Sequence, residues 1–172
     1  MIEQIDTLAH IASEFSNFAK MPKANNEKIN IADALSNVVE LYNETENCKI
    51  YFTAADKNLF VFADREQLQR VFNNLIKNSI QSIPENKEGK IQITLEKSDN
   101  TILIKIQDNG TGISDEMKDK IFTPNFTTKS TGMGLGLSMV KSIVENSGGS
   151  IWFETVENKG TEFFVSLPLL KA

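Results

Sequence analysis

The chain has 172 residues, 40% of them hydrophobic, with four prolines and a formal net charge of −5; this suits one compact domain with a short appendage and excludes a surface built to neutralise nucleic-acid phosphates. Its single cysteine, Cys48, excludes an internal disulfide and a paired-thiol metal site and fits a reducing, cytoplasmic setting. No run approaches the ~18 apolar residues of a membrane span, and the N-terminus lacks the basic-then-apolar order of a signal peptide.

In chain order, Ile5, Leu8, Ala12, Phe15 and Ala19 recur at helical spacing up to Met21-Pro22, where proline stops a helix, so residues 2–20 read as one amphipathic helix. The polar stretch Lys23 to Lys28 reads as a linker. This divides the chain into residues 1–22, a linker over 23–29 and a domain over 30–172. A helix from about Ala32 to Asn43 carries Leu35, Val38, Val39 and Tyr42 on one face. Ile50 to Thr53 and Leu59 to Phe62, around the turn Asp56-Lys57-Asn58, read as a β-hairpin. Asp64 caps the next helix, whose stripe Leu68, Val71, Leu75 and Ser79 should be buried. Strands follow at Lys90 to Glu96 and Thr101 to Gln107, then at Ser150 to Thr155 and Thr161 to Leu167. With helices near 114–120 and 136–147, the pattern predicts an α+β fold: a two-layer sandwich of a mostly antiparallel mixed sheet with about three helices on one face, preceded by one N-terminal helix.

Candidate chemistry begins on the helix after Asp64. Asn74 and Asn78 are four residues apart and share one face. An amide oxygen is a hard, neutral ligand suited to Mg²⁺, which is commonly shared with substrate phosphates. Taken alone, the helix favours the plainer reading of surface asparagines. Next, Asp108-Asn-Gly-Thr-Gly112 follows a strand directly, and a carboxylate there can accept a hydrogen bond from an exocyclic amine such as that of adenine. The plainer alternative is an Asn-Gly turn. Third, Gly132, Gly134 and Gly136 lead into a helix whose N-terminus and free backbone N–H groups would cradle a phosphate, with Lys129 adding positive charge. The spacing matches neither the Walker A loop nor the dinucleotide fingerprint. Gly148-Gly149 and Gly160-Thr161 read first as turns.

In this order the segments resemble the catalytic and ATP-binding domain of sensor histidine kinases, within the GHKL superfamily that also holds gyrase-type, HSP90-type and MutL-type ATPases. The resemblance runs from about residue 30 to 170 and implies the Bergerat ATP-binding fold. The N box looks like Asn74-Leu-Ile-Lys-Asn78, the G1 box like Asp108 to Gly112, the F box like Phe122-Thr-Pro-Asn-Phe126 and the G2 box like Gly132-Met-Gly-Leu-Gly136. By this resemblance Asn78 would ligate Mg²⁺, Asn74 would assist it, Lys77 would touch phosphate, Asp108 would bind the adenine amine and Thr161 would lie near the base. It also carries ATP contacts to Gly110, Gly112, Ile113 and Phe122, to Thr128 and Lys129, and to Gly132, Gly134, Leu135, Gly136 and Leu137. Residues 126–136 would form a lid, short for the family. Ser79 stands where alanine is usual.

The ATPase branches carry a glutamate where this chain has Asn74, and asparagine cannot take a proton from water. Transfer of the γ-phosphate to a histidine is therefore the expected activity, with a GHKL ATPase or a nucleotide-gated interaction module as alternatives. The sole histidine, His10, is followed by Ile11-Ala-Ser-Glu-Phe15 and departs from the acceptor pattern of the family. Glu14 to Pro22 instead resembles the end of the dimerisation hairpin of nitrogen-regulation-type kinases, so the acceptor would lie upstream. The partners implied are the phosphoacceptor helix of the full-length kinase, a response-regulator receiver domain and a second copy paired through the N-terminal helix, with no nucleic acid. The domain would be cytoplasmic, in a parent protein of the kind often anchored to a membrane.

Overall fold

The computed structural model describes residues 24–45, 47–126 and 134–171. The helix expected over 2–20, His10, and the stretch that carries Thr128, Lys129 and Gly132 lie outside the described residues.

The elements run β1 (Asn26–Asn30), α1 (Ile31–Glu40), β2 (Cys48–Ala54), β3 (Phe60–Asp64), α2 (Arg65–Ser82), β4 (Gly89–Ser98), β5 (Thr101–Asp108), α3 (Asp115–Lys118), α4 (Gly136–Asn146), β6 (Ser150–Val156) and β7 (Gly160–Pro168). Strand alternation makes the main sheet. Ile91, Ile93 and Leu95 on β4, Ile102, Ile104 and Ile106 on β5, and Phe163, Val165 and Leu167 on β7 are all buried, while Gln92, Lys105 and Glu162 point the other way with period two. The strand order is β2-β4-β5-β7-β6. The β2–β4 pair is parallel and the other three pairs are antiparallel. Helices α1, α2 and α4 cover the apolar face, which is the predicted α+β sandwich.

Helix α2 is central. Its N-cap Asp64 accepts a hydrogen bond from Gln67 N–H at 3.0 Å, and Leu68, Val71, Phe72, Leu75, Ile76 and Ser79 are buried. Each large apolar side chain among them contributes about 1.5–3 kcal/mol by leaving water. Tyr42, just beyond α1, donates its hydroxyl to Asn73 Oδ1 at 2.5 Å and ties the two helices.

Two readings of the sequence need correction. Ile50 to Thr53 and Leu59 to Phe62 do not pair as a hairpin: β2 runs parallel to β4, with Ile50 beside Ile91, and β3 pairs with β1, with Phe62 beside Lys28. The intervening turn is tied elsewhere. Asp56 Oδ1 accepts from Asn58 N–H at 2.8 Å, Lys57 O accepts from Asn30 Nδ2 at 2.9 Å, and Leu59 O accepts from Ile31 N–H at 3.0 Å. The turn thus docks on the start of α1 and separates the two strands. The second correction concerns Asn26 to Lys28, which belong to β1 rather than to a linker. An edge strand against β3 needs backbone groups more than apolar side chains, so polar composition concealed it.

Candidate functional site

At the end of β5, Asp108 is 5% exposed. Its Oδ1 accepts from Gly110 N–H at 2.9 Å and from Thr161 N–H at 3.2 Å. Ser82 Oγ lies 3.2 Å from the same oxygen and 2.8 Å from Ser79 O, so its one proton is shared. Burial pushes the Asp108 carboxyl above its ordinary value, against the pull of these donors and of the neighbouring Ser79 hydroxyl. A charged acceptor is thus held in a fixed orientation where water is scarce.

The loop after Asp108 is locked on both sides. Asn109 accepts from Lys90 N–H at 2.8 Å through Oδ1 and donates through Nδ2 to Glu88 O at 3.0 Å. A Cβ on Gly110 would overlap Ser82 of α2. Thr111 N–H donates to Ser82 O at 2.9 Å, and Ile113 N–H donates to Thr155 Oγ1 at 3.0 Å. Gly112 adopts φ +69°, with Val156 O where a side chain would stand, so glycine is required there. The Thr155 and Thr161 hydroxyls lie 2.9 Å apart and join β6 to β7 beside the carboxylate. Gly160-Thr161 therefore packs directly on Asp108, beyond forming a turn.

The other end of the site is built on the same helix. Asn74 Nδ2 donates to Arg70 O at 2.8 Å, which directs its Oδ1 outward, and a Cβ on Gly136 would lie 2.7 Å from that oxygen. Gly136 opens α4, whose first turn has no acidic residue and no side-chain cap. Among the described residues no side chain caps its first N–H groups, an arrangement that could receive an anion. Leu135 is buried and Leu137 half-buried, and both anchor this turn. Gly134, at φ +69°, packs against the backbone of Phe126, which brings the F and G2 segments together. Phe122 packs edge-on to Phe153 with centroids 6.0 Å apart. Asn78 is half-buried one turn beyond Asn74, and Lys77 is exposed.

Sequence reading missed Ser82 and Thr155. Ser82 sits one turn past Asn78 at the end of α2, a spacing that could have suggested a role, but only the fold brings it to Asp108. A separate polar cleft of about 640 Å³ is lined by residues that include Asn43, Lys49 and Glu88. Two of its side chains, Lys49 and Glu88, form an ion pair. Among the described residues no group of three acidic, histidine or cysteine side chains could hold a metal, and no helix is long and apolar enough to cross a membrane.

The structure is a two-layer sandwich with a buried acid at a strand end and a glycine-led helix opposite Asn74. The family model described as histidine kinase-, DNA gyrase B- and HSP90-like ATPase matches residues 63–171, and the chain belongs to that family of ATP-binding domains. The solved catalytic domain of the histidine kinase ThkA, in a nucleotide-free form, is 36% identical with a TM-score of 0.75, over 84% of this chain and 95% of that one. Among sequences, sensor histidine kinase ZraS of Escherichia coli K12 is 34% identical over 98% of the chain. Sporulation kinase D of Bacillus subtilis is 36% identical over 97% of it. The chain spans 37% and 33% of the length of these two relatives. Within the family it is thus a catalytic domain of the histidine-kinase type.

Proposed function

We propose that the chain is the catalytic domain of a two-component sensor histidine kinase, binding MgATP and transferring its γ-phosphate to a histidine on a dimerisation hairpin. The observation that carries this reading is the layout of α2. Ser82 meets Asp108 and the Gly110 loop at one end, while Asn74 meets Gly136 and the start of α4 at the other. Eight residues from Asn74 to Ser82 at 1.5 Å each span ~12 Å, a separation that suits a base at one end and phosphates at the other.

In this reading Asp108 accepts the adenine amine, with Thr161, Gly110, Gly112 and Ile113 around the base and Phe122 supporting the pocket. Gly132, Gly134, Leu135, Gly136 and Leu137, with Thr128 and Lys129, surround the phosphates, and Lys77 reaches them from solvent. The donor set fits Mg²⁺: the Asn78 amide oxygen, assisted by Asn74, is a neutral hard ligand, and the nucleotide phosphates balance the charge. Bound there, Mg²⁺ would neutralise charge on the phosphates. An imidazole nitrogen of the acceptor attacks the γ-phosphorus, the new N–P bond forms as the bond to the β-phosphate oxygen breaks, and ADP leaves. Such a loose transition state needs positioning and charge stabilisation more than a base. Asn74 in place of an acid favours this over water attack.

Residues 1–22 would supply the end of the dimerisation hairpin and pair two copies, with the ATP-binding domain, β1 included, following. The parent would be membrane-anchored with this domain in the cytoplasm. A response-regulator receiver domain would be the downstream partner; ThkA, 31% identical over 98% of this chain, has been solved in complex with the response regulator TrrA. The test follows γ-labelled MgATP with this chain alone and with a histidine-bearing hairpin of its parent. Acid-labile label should appear on the hairpin only, and Asn78→Ala should remove its dependence on Mg²⁺. Label on His10 would overturn the acceptor assignment, rapid free phosphate would indicate an ATPase, and nucleotide binding without transfer would leave an interaction module.

A further inference from the structure

The face of the main sheet turned away from the helices carries an aromatic centre near its β6 edge. Trp152 on β6 stands opposite Phe164 on β7, and the two rings stack with centroids 5.2 Å apart and planes 3° from parallel. Trp152 is nevertheless 41% exposed, so much of the indole is left to solvent. Two residues further along the same strands, and on the same face, Glu154 stands directly opposite Glu162. Like charges in that relation destabilise a sheet. Burial raises the Glu162 carboxyl, Lys105 lowers it, and the charges of Glu154 and Glu96 raise it again. Lys105 is itself bonded to Glu96 at 2.9 Å. The sheet thus keeps two opposed acids beside an exposed aromatic stack, a cost that strand pairing does not require, since neutral residues such as threonine serve well at such positions.

The chemistry of this patch selects its partner. An aromatic centre with a charged rim is the make-up of a protein contact surface. The acidic rim repels nucleic-acid phosphates and anionic lipid, and the net charge of −5 disfavours a second copy of the chain. A guanidinium suits both parts at once, because its plane stacks on an indole while its N–H groups pair with carboxylates. We propose that the Trp152–Phe164 stack and the Glu154–Glu162 pair form a docking surface for an arginine-bearing segment of a partner protein, with the guanidinium on the exposed indole and its N–H groups shared between the two carboxylates. The surface lies across the sheet from α2 and α4 and is separate from the nucleotide reading built on those helices.

Trp152 is the sole tryptophan, so its fluorescence reports this surface directly. The test titrates the unaltered chain with acetylated tetra-arginine and tetra-lysine peptides at low salt. It repeats the titrations with Glu154→Gln/Glu162→Gln and with Glu40→Gln/Glu66→Gln, an equal change of charge at exposed positions on α1 and α2. Tetra-arginine should change Trp152 fluorescence saturably, with an affinity about twofold to fivefold above that of tetra-lysine, the share of guanidinium stacking. Glu154→Gln/Glu162→Gln should bind tetra-arginine about threefold to tenfold more weakly, whereas Glu40→Gln/Glu66→Gln should change the affinity by less than about twofold. The melting temperature of Glu154→Gln/Glu162→Gln without peptide should be unchanged or higher, because the opposed charges are gone. The docking surface would be overturned by the lack of a saturable change, by equal affinity for the two peptides, by equal losses in the two double variants, or by a lower melting temperature of Glu154→Gln/Glu162→Gln.

Discussion

Asp108 shows how a single side chain can serve binding at the expense of stability. Burial raises its pKa while three donors on Oδ1 oppose the rise. A carboxyl raised in the folded state holds its proton longer than in the unfolded chain, so folding stability falls as pH rises from the unfolded value, near 3.9, through the folded one. Above that range the ionised Asp108 is a net cost, which a neutral amide in its place would not carry while its oxygen keeps the same donors. Urea unfolding of Asp108→Asn without nucleotide should therefore show stability equal to or above that of the unaltered chain at pH 7, with the difference closing below about pH 4. ATP affinity should drop about tenfold or more, the share of a charge-assisted hydrogen bond. Lower stability at pH 7 would mean that the charge is compensated more fully than these contacts indicate. The acid and its glycines were legible in sequence because local turn chemistry marks them. Ser82 and Thr155 were not, since neither sits in a turn or motif of its own and each meets the loop after β5 only through the fold.

Among elements, α2 and the loop after β5 form an interlock. Gly110 packs where any Cβ would overlap both the side chain and the carbonyl of Ser82, and Thr111 N–H is bonded to that carbonyl. Retreat is blocked on the other side, where Asn109 is bonded to Lys90 and Glu88. Gly110→Ala should thus cost about 1–3 kcal/mol, as overpacking does, and should weaken ATP binding by displacing Asp108. Gly148 offers the contrast. It has φ +73° but only Pro168 Cγ at 3.5 Å near its Cβ position, so Gly148→Ala should cost about 1 kcal/mol through backbone strain and leave ATP affinity unchanged. Thermal melts and nucleotide titrations of the two variants, run together, check both; equal binding losses would detach the site from the interlock. The stripe of α2 was readable because its period is local. The separation of β2 from β3 was not, because the choice between a hairpin and two different sheets depends on β1 and β4 as competing partners.

At the scale of the whole molecule, the sandwich holds two half-sites on one helix. In the proposed reading the base end would belong to the loop after β5 and the turn between β6 and β7, and the phosphate end to the first turn of α4. Fold class was legible because alternating strands and amphipathic helices leave few ways to bury both apolar faces. The joining of the half-sites was not, because it depends on Gly136 meeting Asn74, which lies far upstream in the sequence with β4, β5 and α3 between them. If the halves act as described, ligands that fill one or both should leave different marks on amide hydrogen exchange, which reports local opening. MgATP should slow exchange in residues 108–113 and in the first turn of α4, where the N-cap residue Leu135 makes no side-chain cap. Adenosine, at concentrations giving the same occupancy, should slow exchange only in residues 108–113, and inorganic phosphate should do neither strongly, since one helix end binds a lone anion weakly. Protection of α4 by adenosine to the same degree would mean that the two ends open as one cooperative unit, and the division of labour along α2 would have to be abandoned.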